Sequence, residues 1–296
     1  MAVIGIFDSG YGGLTILHGI LKILPQYSYL YLGDNIRAPY GQRSAEEIFK
    51  FTKQGVDYLF SHGAQLVILA CNTASANALR RIQHELLPGP YPNKRAVHGE
   101  PRHRRVLGIL VPTIEQITGV SWQKTEPIVS AALGLATVGV LATEQTVRSQ
   151  AYEHEIHKRN PAIRVIQQAC PGLVEAIERG KDKQEIKMLV QHYIEQLYAR
   201  VPAHAAPISA VLLGCTHYAL IADVIAACLP KKVKLYQQPT IVAKSLQQYL
   251  KRHPEVAATL GTTGERHFLT TGDEAEVARH SRRYFNQTIT FHRVML

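Results

Sequence analysis

The chain reads as an α/β fold, two similar lobes on mainly parallel sheets flanked by helices and related by a pseudo-twofold axis. Three observations predict it. Short apolar runs alternate with helix-period segments along nearly the whole sequence, the pattern of parallel strands joined by helical crossovers. A unit of strand, cysteine, small polar residue and helix occurs twice, as residues 66–69 followed by Cys71-Asn72-Thr73 and as residues 208–213 followed by Cys215-Thr216-His217. The two units lie about half the chain apart, so each half carries one.

In order, residues 2–7 are an apolar β-type run, and Asp8-Ser9-Gly10-Tyr11-Gly12-Gly13 is a glycine-rich turn. A helix is expected over 14–24, stopped by Pro25, which has no N–H to donate. Residues 27–32 follow as a strand and 33–43 as a loop containing Pro39-Tyr40-Gly41. Ser44 and Glu47 have the spacing of a capping box and open a helix to about residue 62. A strand over 65–70 and a helix over 73–86 complete the first unit. The pattern then fails over 87–105, where Pro88, Pro90 and Pro92 precede a basic run; this reads as a surface insertion. Next come a strand at 106–110, a helix at 114–119, a loop holding Trp122 and a helix toward Gly134. Strands at 136–141 and 164–168 enclose a helix at 146–159, and helices follow at 173–177 and 184–199. The last third reads as strand 208–213, helix 220–229, strand 233–236, helix 241–250, strand 267–271 and helix 274–285. One lobe is expected over 1–108 with a returning segment 240–296, the other over 109–239.

Composition bounds the function. A 46% hydrophobic fraction in 296 residues supplies ample core. Every apolar run falls far short of the roughly 18 residues a membrane span needs. The opening MAVIGIFDSG has no basic leader region, so no signal peptide is expected. Four cysteines without CxxC spacing point to free thiols in a reducing cytoplasm. The net charge of +10 favours acidic ligands or surfaces. Residues 94–105 hold five Lys/Arg and one Glu, either a solvated loop or a nucleic-acid contact.

Gly10-x-Gly12-x-x-Thr15 lacks the third glycine of a dinucleotide fingerprint, and neither a P-loop nor HExxH occurs. His154 and His157 flank Glu155 on a charged helix and read as surface residues, so neither cofactor nor metal is expected. A cysteine at a strand-to-helix turn sits where the helix N-terminus favours its thiolate. Each such thiol has a helper: Asp8-Ser9 end the first strand, beside Cys71, and His217 lies two residues from Cys215. Cys170 and Cys228 lack such neighbours and read as structural and as helix core. Two opposed weak bases without a cofactor suit inversion of a stereocentre, one removing a proton from one face and the other delivering one to the opposite face. Ser9, Asn72, Thr73 and Thr216 are candidate donors to a carboxylate supporting the carbanion. Ligands in open α/β sheets bind beyond the C-terminal strand ends, where Asp8, Ser9, Cys71, Thr143, Cys215 and His217 fall, which puts the active site in the interlobe cleft.

The motifs IGIFDSGYGGLT (4–15), YLGDNIRAPYGQRS (31–44), ILACNTASANAL (68–79), GVLATEQTVRSQAY (139–152), ACP (169–171), LLGCTHY (212–218) and TTGD (270–273) span nearly the whole chain. Through them the sequence resembles the bacterial glutamate racemases of the cofactor-independent aspartate/glutamate racemase superfamily. The resemblance implies that Cys71 exchanges the α-proton with D-glutamate and Cys215 with L-glutamate, assisted by Asp8 and His217 respectively. It assigns Ser9, Asn72, Thr73 and Thr216 to the α-amino and α-carboxylate groups. It also assigns Pro39, Tyr40, Gly41, Thr143 and Thr146 to substrate contact and places Glu178 near the ammonium group. On residue type alone, Tyr40, Thr143 and Glu178 read as ordinary loop or helix-cap residues. A homodimer making D-glutamate for peptidoglycan is implied. The chain departs from the pattern in its long basic segment 87–105, in residues 109–113, which lack the Glu-Pro many members carry, and in Gln237-Gln238, where Asp-Ser is common. The alternatives are a racemase of another acidic or broader amino-acid set, or a basic-surface binding role toward nucleic acid or DNA gyrase, since some members are linked to gyrase inhibition.

Overall fold

The computed structural model describes residues 2–85, 87, 104–121, 137–285 and 288–296. The expected loop at Trp122, the helix toward Gly134 and most of the insertion 87–105 lie outside the described residues.

The strands are β1 (Val3–Asp8), β2 (Tyr29–Gly33), β3 (Ala64–Leu69), β4 (Arg105–Gly108), β5 (Thr137–Ala142), β6 (Arg164–Ala169), β7 (Ala210–Gly214), β8 (Lys234–Tyr236), β9 (Arg266–Thr270) and β10 (His292–Arg293). The helices are α1 (Gly13–Ile23), α2 (Ala45–Ser61), α3 (Asn72–Glu85), α4 (Leu110–Thr118), α5 (Glu144–Arg148), α6 (Ala151–Arg159), α7 (Leu173–Arg179), α8 (Lys183–Ala199), α9 (Ala222–Cys228), α10 (Gln238–Arg252), α11 (Pro254–Ala257) and α12 (Glu274–Phe285).

Among the described residues two sheets form, with orders β10-β9-β2-β1-β3-β4 and β6-β5-β7-β8, and every pairing is parallel. In both lobes the first four strands in chain order lie second, first, third, fourth; the first sheet is extended past β2 by β9 and β10. Such an order reverses direction between its first and third strands, and a crevice opens there at the carboxyl ends. In this chain the reversals lie between β1 and β3 and between β5 and β7.

Side chains alternate across a strand, which assigns the core. Ile4 and Ile6 of β1, Val138 and Val140 of β5, and Ala210 and Leu212 of β7 share one apolar cluster with Leu17 of α1, Ile114 of α4 and Leu246 of α10. That cluster joins the two sheets. The alternate residues face outward: Val211 and Leu213 pack with Val190 and Leu197 of α8, and Phe7, Val67 and Leu69 pack with Val56 and Leu59 of α2. Burial on both faces explains why these strands read as continuous apolar runs.

Local chemistry sets the helix ends. Ser44 Oγ accepts from Glu47 N–H at 3.2 Å and Glu47 Oε2 accepts from Ser44 N–H at 3.0 Å, the predicted capping box. Asp182 caps α8 through Gln184 and Glu185 N–H groups. The expected helix 146–159 is broken into α5 and α6 because Gln150 adopts φ 55°. The helix expected at 114–119 starts earlier, since Pro112 falls in its first turn, where its missing N–H costs nothing. A 3-10 turn, Thr216–Ile221, precedes α9, and the short α11 and β10 carry too few residues to show a period.

Candidate active site

Both crevices open on one cleft. Cys71 lies between β3 and α3; its Sγ is 3.2 Å from Ser9 Oγ and accepts from Ala74 N–H at 3.4 Å. Asp8 ends β1, and its Oδ2 accepts from Gly10 N–H at 3.1 Å. The N–H groups of Ser9, Gly10 and Gly13 are thus directed at the chain's own carboxylate. Cys215 lies between β7 and the Thr216–Ile221 turn, its Sγ 3.8 Å from His217 Nδ1. His217 Nε2 lies 2.8 Å from Glu178 Oε1 on α7, forming a Cys–His–Glu line. Cys71 is 6% exposed and Cys215 7%. The cleft they border encloses about 640 Å³ of space, part of it open to solvent.

Comparison with known proteins places this arrangement. No family model matches the chain. A glutamate racemase of Caulobacter sp. (strain K31) is 44% identical over 270 residues, 91% of this chain and 92% of its own. The glutamate racemase of Jannaschia sp. (strain CCS1) is 42% identical over 291 residues, 98% of this chain and 99% of its own. The chain belongs to the glutamate racemase family. Its fold agrees with a solved Francisella tularensis glutamate racemase in complex with D-glutamate, at TM-score 0.80 and 29% identity over 99% of this chain and 97% of the other. A glutamate racemase isoform of Bacillus anthracis matches equally well, at TM-score 0.80 and 28% identity over 100% and 98%.

In this glutamate racemase family member all fourteen sequence-predicted site residues gather at the cleft. Twelve line it; Asp8 and Thr146 stand just behind the wall. Thr73, Thr143 and Thr146 form a triangle of hydroxyls, with Oγ1 separations of 3.0, 3.3 and 3.0 Å, that ties α3 to the second lobe. Pro39, Tyr40 and Gly41 supply a lining loop, but the Tyr40 hydroxyl is turned away, donating to the buried Asp34 carboxylate at 2.5 Å. Asp34 also holds Arg37 and Thr271, so the Tyr40 hydroxyl anchors the loop. Glu178 borders the cleft as expected, yet its carboxylate is engaged by His217.

Sequence reasoning missed three contributors. Cys170, read as structural, lies 3% exposed on the cleft wall, at the carboxyl end of β6. Gln42 donates to Glu175 at 2.8 Å across the mouth. Gln238 reaches Asn72 from the far end of the chain. The ACP run and the unusual Gln237-Gln238 were the available signals for the first and last. Cys228, read as helix core, is partly exposed at the end of α9.

Gly12 shows why the turn after β1 is glycine-rich. A Cβ there would lie 2.2 Å from Thr216 Oγ1 and 2.6 Å from His217 Nδ1, so its absence lets the turn that carries Thr216 and His217 seat against the turn after β1. A Cβ on Gly41 would likewise meet the Thr143 Cβ at 2.9 Å.

Electrostatics separate the two thiols. Burial, then the nearby Asp8 charge, pushes the Cys71 thiol up to about 11, against the opposing bonds from Ser9 and Ala74. Burial also raises Asp8 above the usual carboxylate range, while backbone N–H groups and His217 oppose it. Burial pulls His217 down, but Cys215 and Glu178 together outweigh it and hold His217 well above its ordinary value. An imidazolium there offsets negative charge at the Cys215 sulfur. Asp8 repels a Cys71 thiolate, so removing the carboxylate charge must lower the pH at which Cys71 ionises. The alkylation rate of Cys71, followed by peptide mass, should rise about tenfold per pH unit and level off near pH 11. In Asp8→Asn the plateau should come at lower pH; an unmoved plateau would show that Asp8 does not act on Cys71.

Proposed function

We propose that the chain interconverts L- and D-glutamate by cofactor-independent two-base racemisation, and so supplies D-glutamate for peptidoglycan. The observation that carries this is the pair of thiols at the two strand-order reversals, on opposed walls of one cleft, each with its own polar partners. Glutamate as the substrate is supported by relatives named glutamate racemase and by a solved neighbour bound to D-glutamate.

In the forward direction, Cys215 takes the α-proton of L-glutamate while the His217 charge, oriented by Glu178, steadies the thiolate beforehand. The flattened carbanion spreads charge into the α-carboxylate, which Ser9, Asn72, Thr73 and Thr216 are placed to receive through hydroxyl and N–H donors. Cys71, kept as a thiol by burial and by Asp8, delivers its proton to the opposite face. The reverse reaction exchanges the two roles. Proton transfer by a positioned side chain contributes about 10²- to 10⁴-fold, so two such transfers supply much of the acceleration.

The same reading takes the lobes as 1–108 with 240–296 and 109–239, and the working molecule as a cytoplasmic homodimer. A substrate panel read by circular dichroism tests the assignment. L-glutamate should lose its signal without added cofactor, aspartate should be strongly disfavoured and alanine ignored. Faster turnover of another amino acid than of glutamate would overturn the substrate.

A further inference from the structure

Asn72, the first residue of α3 and neighbour of Cys71, is 2% exposed, and its side chain is held by Gln238 and Tyr152. Its Nδ2 donates to Gln238 Oε1 at 2.6 Å, and Gln238 Nε2 donates back to Asn72 Oδ1 at 3.0 Å. Two amides paired head to head fix each other's orientation, because flipping either one sets donor against donor. Tyr152 OH donates to the same Asn72 Oδ1 at 2.5 Å, which occupies both lone pairs of that oxygen. Gln238 is itself 2% exposed, and its Nε2 also lies within reach of Thr113 Oγ1, Tyr152 OH and Ile109 O, at 3.2, 3.1 and 3.4 Å. The pair therefore joins α3, α4, α6 and α10, elements carried by both halves of the chain.

This pairing leaves Asn72 a particular chemistry. Its acceptor is saturated, and one Nδ2 hydrogen is committed to Gln238. Among the described residues the second Nδ2 hydrogen is bonded to nothing, and Asn72 borders the cleft. The side chain can thus offer the cleft a donor and no acceptor, which suits a carboxylate oxygen and disfavours an ammonium group. A serine at 238 is too short to make the reciprocal pair that glutamine makes here.

We propose that Gln238 is a positioning residue for racemisation: it turns the Asn72 amide so that only N–H faces the cleft, committing Asn72 to the substrate carboxylate. The inference rests on the racemase reading above. It predicts that Gln238 acts only through Asn72. Gln238→Met keeps the length and removes the amide, and Gln238→Ser substitutes the commoner residue with less bulk. Either should lower kcat/KM for glutamate by about 10- to 100-fold, the usual consequence of leaving buried polar partners unpaired. The loss should fall mainly on KM, since a carboxylate grip acts before and during the reaction.

The deciding experiment is a double-mutant cycle with Asn72→Ala, with the thermal midpoint of each variant measured alongside. In the Asn72→Ala background the same Gln238 substitutions should cost less than about threefold. Equal factors in both backgrounds, or a loss confined to kcat that follows the fall in thermal midpoint, would make Gln238 merely structural and overturn the inference. The wild type separates the two kinds of failure: if it racemises no amino acid, the functional reading falls and this inference with it. An active wild type with additive variants removes this inference alone.

Discussion

Replacing either Cys71 or Cys215 with alanine is expected to lower glutamate racemisation by about 10³-fold, roughly 4 kcal/mol of transition-state stabilisation. Both thiols are buried, and Ser9, Ala74 and His217 are arranged around the sulfurs, so no neighbouring base can take over their geometry. The two enantiomers are equally stable, so kcat/KM must fall by the same factor in both directions, whichever cysteine is removed. Proton exchange without inversion should divide differently. Cys71→Ala retains the base assigned to the L-isomer and should still wash α-deuterium into L-glutamate while leaving D-glutamate untouched; Cys215→Ala should do the reverse. Nuclear magnetic resonance of the α-proton checks this. Exchange of both isomers by either variant would mean that one base serves both faces.

His217→Ala should reduce kcat/KM by about 10²-fold or more. The imidazole is 7% exposed, 3.8 Å from the Cys215 sulfur and 2.8 Å from Glu178, and it is held well above its ordinary proton affinity. Its loss removes the charge that steadies a thiolate and leaves the Glu178 carboxylate facing the same site. Glu178→Gln should be milder, about tenfold, because a glutamine oxygen still accepts from Nε2–H while no longer favouring the imidazolium. Removing the carboxylate lowers the proton affinity of His217, so the pH range in which the imidazolium persists should shrink from its alkaline side. Steady-state kinetics between neutral and alkaline pH measure both effects. Wild-type rates in His217→Ala would remove His217 from the mechanism.

Much of this site was legible in the sequence because its residues cluster at strand ends. Cys71 and Cys215 each follow an apolar run and precede a helix, and those local signals survive in the fold as β3–α3 and β7–α9. The twofold use of one strand order could be anticipated from that repeat, although the order itself depends on pairings between distant segments. Contacts made across the fold were not legible. Gln238 meets Asn72 through α10, and nothing near residue 238 announces a partner near residue 72. Tyr40 illustrates a second limit: residue type alone made it an ordinary loop residue and the family resemblance placed it at the cleft, but only packing shows its hydroxyl spent on Asp34. Gln150 shows a third, since an isolated left-handed residue other than glycine breaks a helix with no sequence punctuation.

The most direct test of opposed-thiol racemisation is the early time course of wild-type enzyme with L-glutamate in D₂O, without added cofactor. Isotope content is read separately in the substrate and product pools. In the proposed mechanism Cys71 carries a solvent-derived deuteron to the new face, whereas a proton taken by Cys215 returns only to the face it left. The D-glutamate formed should therefore carry α-deuterium from the first turnover while the remaining L-glutamate keeps its α-proton. Product that retains the original proton, or deuterium appearing equally early in both pools, would contradict the assignment of one thiol to each face.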